Sequence, residues 1–272
     1  MAIDISKRPD RQIRKITISQ KKRSGITSDL MKIIAVIAMT IDHIAWVYVP
    51  LNSVLGQIMH ILGRITAPVM CFLVAEGYYK TRNVKLYARR LGLFAVLSHI
   101  PYVYFETGSV NIFRSFPGTS IMFTLFLGLQ ALIVMDSGRY SRNAKNIIVF
   151  LLCLLSMLGD WGGIGVVWII IFGIYRNRKT QIQYFSISGA VMIILSIIFS
   201  LTNKAPWYGQ LFQLGIFLAV PLLYKYNGVR KGGNCSRWFY YIYYPAHMVL
   251  LKAVYPLVLS LSVYIVKLVS GK

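Results

Sequence analysis

The sequence predicts an all-α integral membrane protein, a polytopic bundle of about nine transmembrane helices with its N-terminus in the cytoplasm. Three observations carry that expectation. Of the 272 residues, 56% are hydrophobic and only 14% are charged, against roughly 25% charged in a soluble domain. The mean hydropathy is +0.59. The 30 Lys+Arg, set against 8 Asp+Glu, fall between the apolar runs rather than along one soluble face. The net charge of +22 therefore points to a bilayer and not to nucleic acid. These features exclude a disordered chain, a disulfide scaffold and an ordinary cytosolic enzyme.

Residues 1–28 form a basic tail containing Lys7, Arg8, Arg11, Arg14, Lys15, Lys21, Lys22 and Arg23. The tail lacks the short apolar stretch and cleavage site of a signal peptide. It is read as a cytoplasmic arm that lies on anionic headgroups. Thr27, Ser28 and Asp29 read as a helix start, a hydroxyl cap followed by an acid in the first turn. The bundle spans 29–268. Its apolar runs lie at 30–50, 54–79, 86–105, 119–135, 146–159, 162–175, 183–201, 207–223 and 238–266. The fifth and sixth are short, about 21 Å at 1.5 Å per residue, less than a ~30 Å hydrocarbon core. The turn Asp160-Trp161-Gly162-Gly163 between them is expected to dip below the membrane surface. Pro68 is expected to kink the second helix.

Placing the N-terminus inside puts 24 of the 30 Lys+Arg on the cytoplasmic side. Arg114, Lys204, Lys267 and Lys272 fall on the other side, and Arg64 and Lys252 within spans. That asymmetry predicts a multi-pass plasma-membrane protein, N-terminus cytoplasmic and C-terminus outside. Cys71, Cys153 and Cys235 are scattered, with no CxxC spacing, so no metal site is expected. No internal repeat of the kind that builds many transporters is visible.

Polar residues inside the spans mark candidate sites, because a charge in a bilayer is costly. They are Asp42, His43, His60, Arg64, Glu76, His99, His247 and Lys252. His60 and Arg64 share one helix face as an i,i+4 pair. With Asp42 and His43 they fall in one layer of the outer half of the membrane, which Asp160 approaches from its turn. His247 falls only a turn or two from the inner end of the ninth helix, and Glu76 near the inner end of the second. A histidine beside a carboxylate suits a general base, and an arginine suits developing negative charge. The set therefore fits acyl transfer, and equally a proton relay. Tyr240, Tyr241, Tyr243 and Tyr244 read most simply as an interfacial aromatic belt.

The segments "SDLMKIIAVIAMTIDHIAWVYVP", "LGRITAPVMCFLVAEGYYKTRN", "YARRLGLFAVLSHIPY", "FTLFLGLQAL", "GDWGGIGVVWIIIFG" and "YYPAHMVLL" resemble, in order and spacing, the TraX family. The resemblance implies a multi-helix membrane acetyltransferase of the kind associated with N-terminal acetylation of conjugative pilin, using cytoplasmic acetyl-CoA as co-substrate and no metal. Carried over by position, it implies His43 as acid/base or acyl-relay residue, Asp42 orienting it, and His247 facing it. Arg64 and Glu76 would form the pocket, with Asp160 and His60 nearby. Arg82, Arg89 and Arg90 in the inner loops are the candidates to hold the acyl-CoA. His99 departs from the family pattern, where an acid is common, and no role is carried over to it. The acceptor is an amine, such as a protein or peptide N-terminus, or a hydroxyl, as on a sugar. The alternatives are a proton-coupled transporter or a non-enzymatic membrane component of a secretion or conjugation system. One geometric demand follows. Either the donor's arm threads inward to the His43 layer, or an acyl group passes between His247 and His43.

Overall fold

The computed structural model describes residues 25–114, 118–230 and 237–270. The tail expected over 1–28 therefore lies almost wholly outside the described residues, as does Cys235. Among the described residues the regular structure is helical, with only two isolated β-bridges. The helices are α1 (Ser28–Tyr48), α2 (Val54–Gly63), α3 (Thr66–Lys80), α4 (Val84–Leu97), α5 (His99–Thr107), α6 (Ile121–Asp136), α7 (Arg142–Leu155), α8 (Gly162–Ile174), α9 (Arg178–Thr202), α10 (Ala219–Lys225) and α11 (Arg237–Ser270). A run of 3-10 turns, Trp207–Leu218, precedes α10. The nine apolar runs map onto this order, but the second and third are each broken in two and the eighth is largely 3-10.

Proline explains both breaks. Pro68 has no N–H for the carbonyl of Arg64, four residues earlier, and its ring crowds that carbonyl. The chain accordingly breaks at Arg64–Ile65, between α2 and α3. Pro101 does the same to Leu97, where α4 gives way to α5 at Ser98. The expected kink is thus present, one turn ahead of the proline that causes it. The expected helix start is also present, since Thr27 Oγ1 accepts from the N–H of Leu30.

Four stretches are long and apolar enough to cross a membrane: Ser28–Tyr48, Val54–Lys80, Arg178–Thr202 and Trp238–Leu261. Ile121–Asp136 and Gly162–Ile174 are shorter apolar helices. α7 buries no residue and leaves Ile147, Phe150, Leu151 and Leu154 exposed. α9 likewise exposes Val191, Ile194, Leu195, Ile198 and Phe199. Apolar faces this extensive need a hydrocarbon solvent. The protein core is built instead by α3, α6 and α8, around Phe72, Leu125, Leu129, Trp168 and Ile169.

One end of the bundle gathers the basic loops. The Ser28 N–H donates to the Val229 carbonyl at 3.0 Å, and the Ile26 N–H to the Lys225 carbonyl at 2.9 Å. Lys80 Nζ donates to the Gly228 carbonyl, and Tyr79 Oη to that of Gly173. These bonds bring the starts of α1 and α11 and the ends of α3, α8 and α10 to one face. At the opposite end, Thr119 and Gly159 form a short parallel bridge that pins the Asp160 turn beside the start of α6.

The closest backbone approach lies where the 3-10 run crosses α2. A Cβ on Gly215 would stand 2.0 Å from the carbonyl oxygen of Ile61. At Gly209, in the same run, the nearest atom to a Cβ would be 3.6 Å away. Gly215→Ala is expected to cost about 1–3 kcal/mol by overpacking, and Gly209→Ala close to nothing. Thermal unfolding of the two variants in detergent checks this, and equal melting temperatures would refute the crossing.

Candidate functional site

Asp42 and His43 are consecutive on α1, so their side chains leave the helix about 100° apart. They meet different partners. His60 Nδ1 donates to Asp42 Oδ1 at 2.8 Å, and Arg64 Nη2 lies 3.9 Å from Oδ2. The i,i+4 face of α2 read from the sequence thus closes on Asp42 from one side. Gly63, between the two bases, permits the approach, because a Cβ there would fall 2.3 Å from the Cβ of Asp42. Aromatic rings roof this triad. Trp46 lies 4.4 Å from the His60 ring, and the Arg64 guanidinium sits 5.1 Å from Trp161 and 4.7 Å from Phe212. His60 is fully buried and Arg64 nine-tenths buried. In so dry a setting a carboxylate is tolerated only with its cations beside it.

Asp42 is thus engaged by α2, and the hydrogen-bond partner of His43 is His247 rather than the Asp42 that the family resemblance implied. His43 Nδ1 and His247 Nε2 lie 2.6 Å apart. The two rings are within 13° of parallel, with centroids 4.9 Å apart. Atoms this close cannot belong to rings stacked at a van der Waals separation of roughly 3.5–4 Å. The rings are thus nearly coplanar, joined edge to edge by an in-plane hydrogen bond. His247 Nδ1 donates to the Tyr243 carbonyl at 2.8 Å. Among the described residues His43 Nε2 has no hydrogen-bond partner, and the half-buried residue has Phe105 5.1 Å from its ring.

The placement of His247 near the inner end, a layer away from His43, is corrected by this contact. Helices α1 and α11 run parallel and in register. Thr40 meets Tyr243, His43 meets His247, and Tyr48 Oη donates to the Leu251 carbonyl. Counting residues from each helix start misplaced His247 because the two starts are staggered along the bundle.

The remaining candidates divide. Asp160 belongs to this region. Its backbone is fixed by its N–H donating to Thr119 and its carbonyl accepting from Thr124 Oγ1 at 2.6 Å. Its carboxylate lies within electrostatic reach of Arg64, Asp42 and Glu106. His99 is held by Thr119 Oγ1 and the Ile112 carbonyl and is a loop tether. Glu76 lies at the basic end, paired with Lys80 at 2.7 Å and accepting from Tyr226 Oη at 3.3 Å. A cavity at that end includes Glu76 and not Arg64, which stands 12 positions earlier, beyond the helix break. Sequence reasoning missed Glu106, one residue past the third apolar run, which lies within electrostatic reach of Lys252 and Asp160. It also missed Tyr243, read as part of a lipid-facing belt although it stands four residues before His247.

A cavity of about 630 Å³ opens at the basic end. Lys32, Lys80, Arg82 and Arg230 line its mouth, and Arg90 stands deeper in its wall with a buried Nε that has no partner. Arg89 is exposed and is not part of the wall. The deep end is apolar, closed by Met70, Met122 and Leu125. The last cavity residue on α1 is Met39, and on α11 it is Tyr244. The next turn of each helix carries His43 and His247 respectively. Both walls therefore lead to the histidine pair. A shallower groove of about 740 Å³ on the flank, along α9, carries no titratable side chain.

A family model described as "TraX protein" matches residues 27–255. Among curated proteins, the chain is 29% identical over 228 residues to a "Probable fimbrial assembly protein FimC" of Dichelobacter nodosus, covering 81% of this chain and 92% of that one. It is 30% identical over 164 residues to an uncharacterized protein of Rickettsia prowazekii (strain Madrid E), covering 57% and 58% of the two chains. No solved structure matches the chain significantly.

The triad makes a stability prediction. Asp42→Ala strands the buried Arg64 guanidinium and leaves His60 Nδ1–H without its acceptor, and is expected to cost about 3–5 kcal/mol. Glu76→Ala breaks a pair whose lysine is 39% exposed and is expected to cost less than about 1 kcal/mol. Unfolding in detergent compares them, and an Asp42→Ala protein as stable as Glu76→Ala would remove the triad as the clamp between α1 and α2.

Proposed function

The chain belongs to the TraX family, and on that premise we propose that it is a membrane-embedded acetyltransferase moving an acetyl group from acetyl-CoA to an amine or hydroxyl acceptor. The single observation that carries this reading is the cavity, whose two helical walls continue into His43 and His247. It supports the first of the two routes posed by the sequence, a donor arm that enters from the basic end and extends one turn beyond Met39 and Tyr244 to the histidine pair. The positive-inside rule puts the basic end in the cytoplasm, where acetyl-CoA resides. The N-terminus is then cytoplasmic, and a nine-pass chain ends outside.

The residues take roles by position. Arg82 and Arg230 at the mouth match the phosphates of the nucleotide end, and the apolar depth matches the uncharged arm. His43 Nε2 removes the proton from the acceptor N–H or O–H as that atom attacks the thioester carbonyl. The C–N or C–O bond forms, the C–S bond breaks, and the departing thiolate takes the proton from His43 to become free CoA. His247 orients His43 and shares the transient positive charge through the 2.6 Å bond. Likeness to a protein named for fimbrial assembly favours a protein or peptide acceptor over a sugar. The same likeness supports the competing reading, a non-enzymatic component of such an assembly.

Purified protein in detergent, given acetyl-labelled acetyl-CoA and a peptide with a free N-terminal amine, is expected to release CoA and label the peptide. His43→Ala should lower the rate by roughly 10²–10⁴-fold with unchanged melting. Arg82→Gln and Arg90→Gln are expected to raise KM for acetyl-CoA with little change in kcat, as lost ground-state binding does, and more so at low salt. Folded protein that neither binds nor turns over acetyl-CoA would overturn the proposal. Ion-gradient-driven uptake in proteoliposomes would then favour a transporter, and its absence an assembly component.

A further inference from the structure

We infer that Tyr243, gripped by Thr40, is a positioning residue that fixes the protons of the histidine pair so that His43 presents an unprotonated Nε2. The inference rests on the reading of His43 as the base. A neutral imidazole carries its proton on one nitrogen or the other. Two imidazoles sharing one N···N bond therefore have two proton arrangements, and only one leaves a base on His43.

The Tyr243 carbonyl selects between them. A carbonyl only accepts, so the His247 Nδ1 that lies 2.8 Å from it carries the proton. Neutral His247 then has its lone pair on Nε2, the atom 2.6 Å from His43 Nδ1. His43 Nδ1 must donate, and the lone pair of His43 is left on Nε2. With His247 in the other tautomer, the carbonyl would face a lone pair, and His43 Nε2 would hold a proton it could not use to accept another.

The side chain of Tyr243 keeps His247 in place. Its ring lies 5.1 Å from the His247 ring and within 8° of parallel to it. Thr40 Oγ1 donates to the Val36 carbonyl at 2.8 Å, which uses its only proton. The Tyr243 hydroxyl therefore donates to Thr40 Oγ1, at 2.7 Å. Helix α1 thus holds Tyr243 about one turn before His43, and Tyr243 both covers His247 and accepts from it. Tyr243 touches no reacting atom in this scheme; it acts through His247.

Nitrogen-15 NMR of the full chain, labelled at histidine and assigned with His43→Ala and His247→Ala, tests this directly. Both histidines are expected in the Nδ1–H tautomer. Tyr243→Phe keeps the ring and loses the bond to Thr40. It is expected to mix the tautomers and lower kcat about 3- to 10-fold, with KM for acetyl-CoA unchanged. Thr40→Val should do the same, and the double variant no worse than either single, because one bond is lost in all three. A wild-type His43 protonated on Nε2 would overturn the inference, as would additive losses with unmoved tautomers. The spectrum needs no turnover. Locked tautomers in a protein without acetyl-CoA activity would defeat the transferase reading while sustaining the positioning role, and mobile tautomers in an active enzyme would do the reverse.

Discussion

Asp42 carries a carboxylate into the interior of the bundle, and the arrangement of the site follows from the need to neutralise it. A buried anion without partners costs several kcal/mol. Helix α2 supplies the partners from one face, His60 and Arg64, with Gly63 between them to let the carboxylate seat. Pro68 ends that face by breaking the helix at Arg64, so the guanidinium stands at a helix end among aromatic rings rather than mid-span. Once Asp42 is committed to α2, the next residue has no choice of direction. His43 faces α5 and α11. One dipeptide thus divides its labour, the acid clamping two helices and the imidazole meeting a third.

Much of this was legible in the sequence. The apolar runs set the helix order, and the loop charges set which ends lie together. The i,i+4 spacing of His60 and Arg64 put both on the face that Asp42 uses. What failed was information that sequence spacing does not hold. The family resemblance implied that Asp42 orients His43, but consecutive helical residues diverge, and the hydrogen-bond partner of His43 comes from about 200 residues away. Depth counted from helix starts separated His43 from His247, because a count along one chain does not know how two helices are staggered. Glu76, which the resemblance placed in a pocket beside Arg64, lines the basic-end cavity instead, paired with Lys80 one turn on. Glu106 was lost to a boundary drawn one residue early. Tyr243 was hidden by its neighbours, since four tyrosines within five residues read as a membrane-interface belt until one of them is seen against an imidazole.

The positive charge of the chain acts at two scales. Spread over the loops, it forms the pattern that the positive-inside rule reads as an orientation across a membrane. At the rim of the cavity, a few of the same side chains are brought within reach of one another by the bonds that tie Ile26 and Ser28 to residues 225–229. Composition reports the first effect and conceals the second. Only the fold separates Arg82 and Arg90, which line the cavity, from Arg89, which does not.

The parallel seam between α1 and α11 has a further consequence. Its three contacts, Thr40 to Tyr243, His43 to His247 and Tyr48 to Leu251, keep a nearly constant sequence offset. The pairing is therefore a matter of sliding register, as in a zipper. A slip of one turn, about 5.4 Å, would set Tyr243 or Leu251 opposite His43 and leave it no nitrogen to bond, while every helix stayed folded. Asp42 and its partners tie α1 to α2 and not to α11, so they do not fix that register.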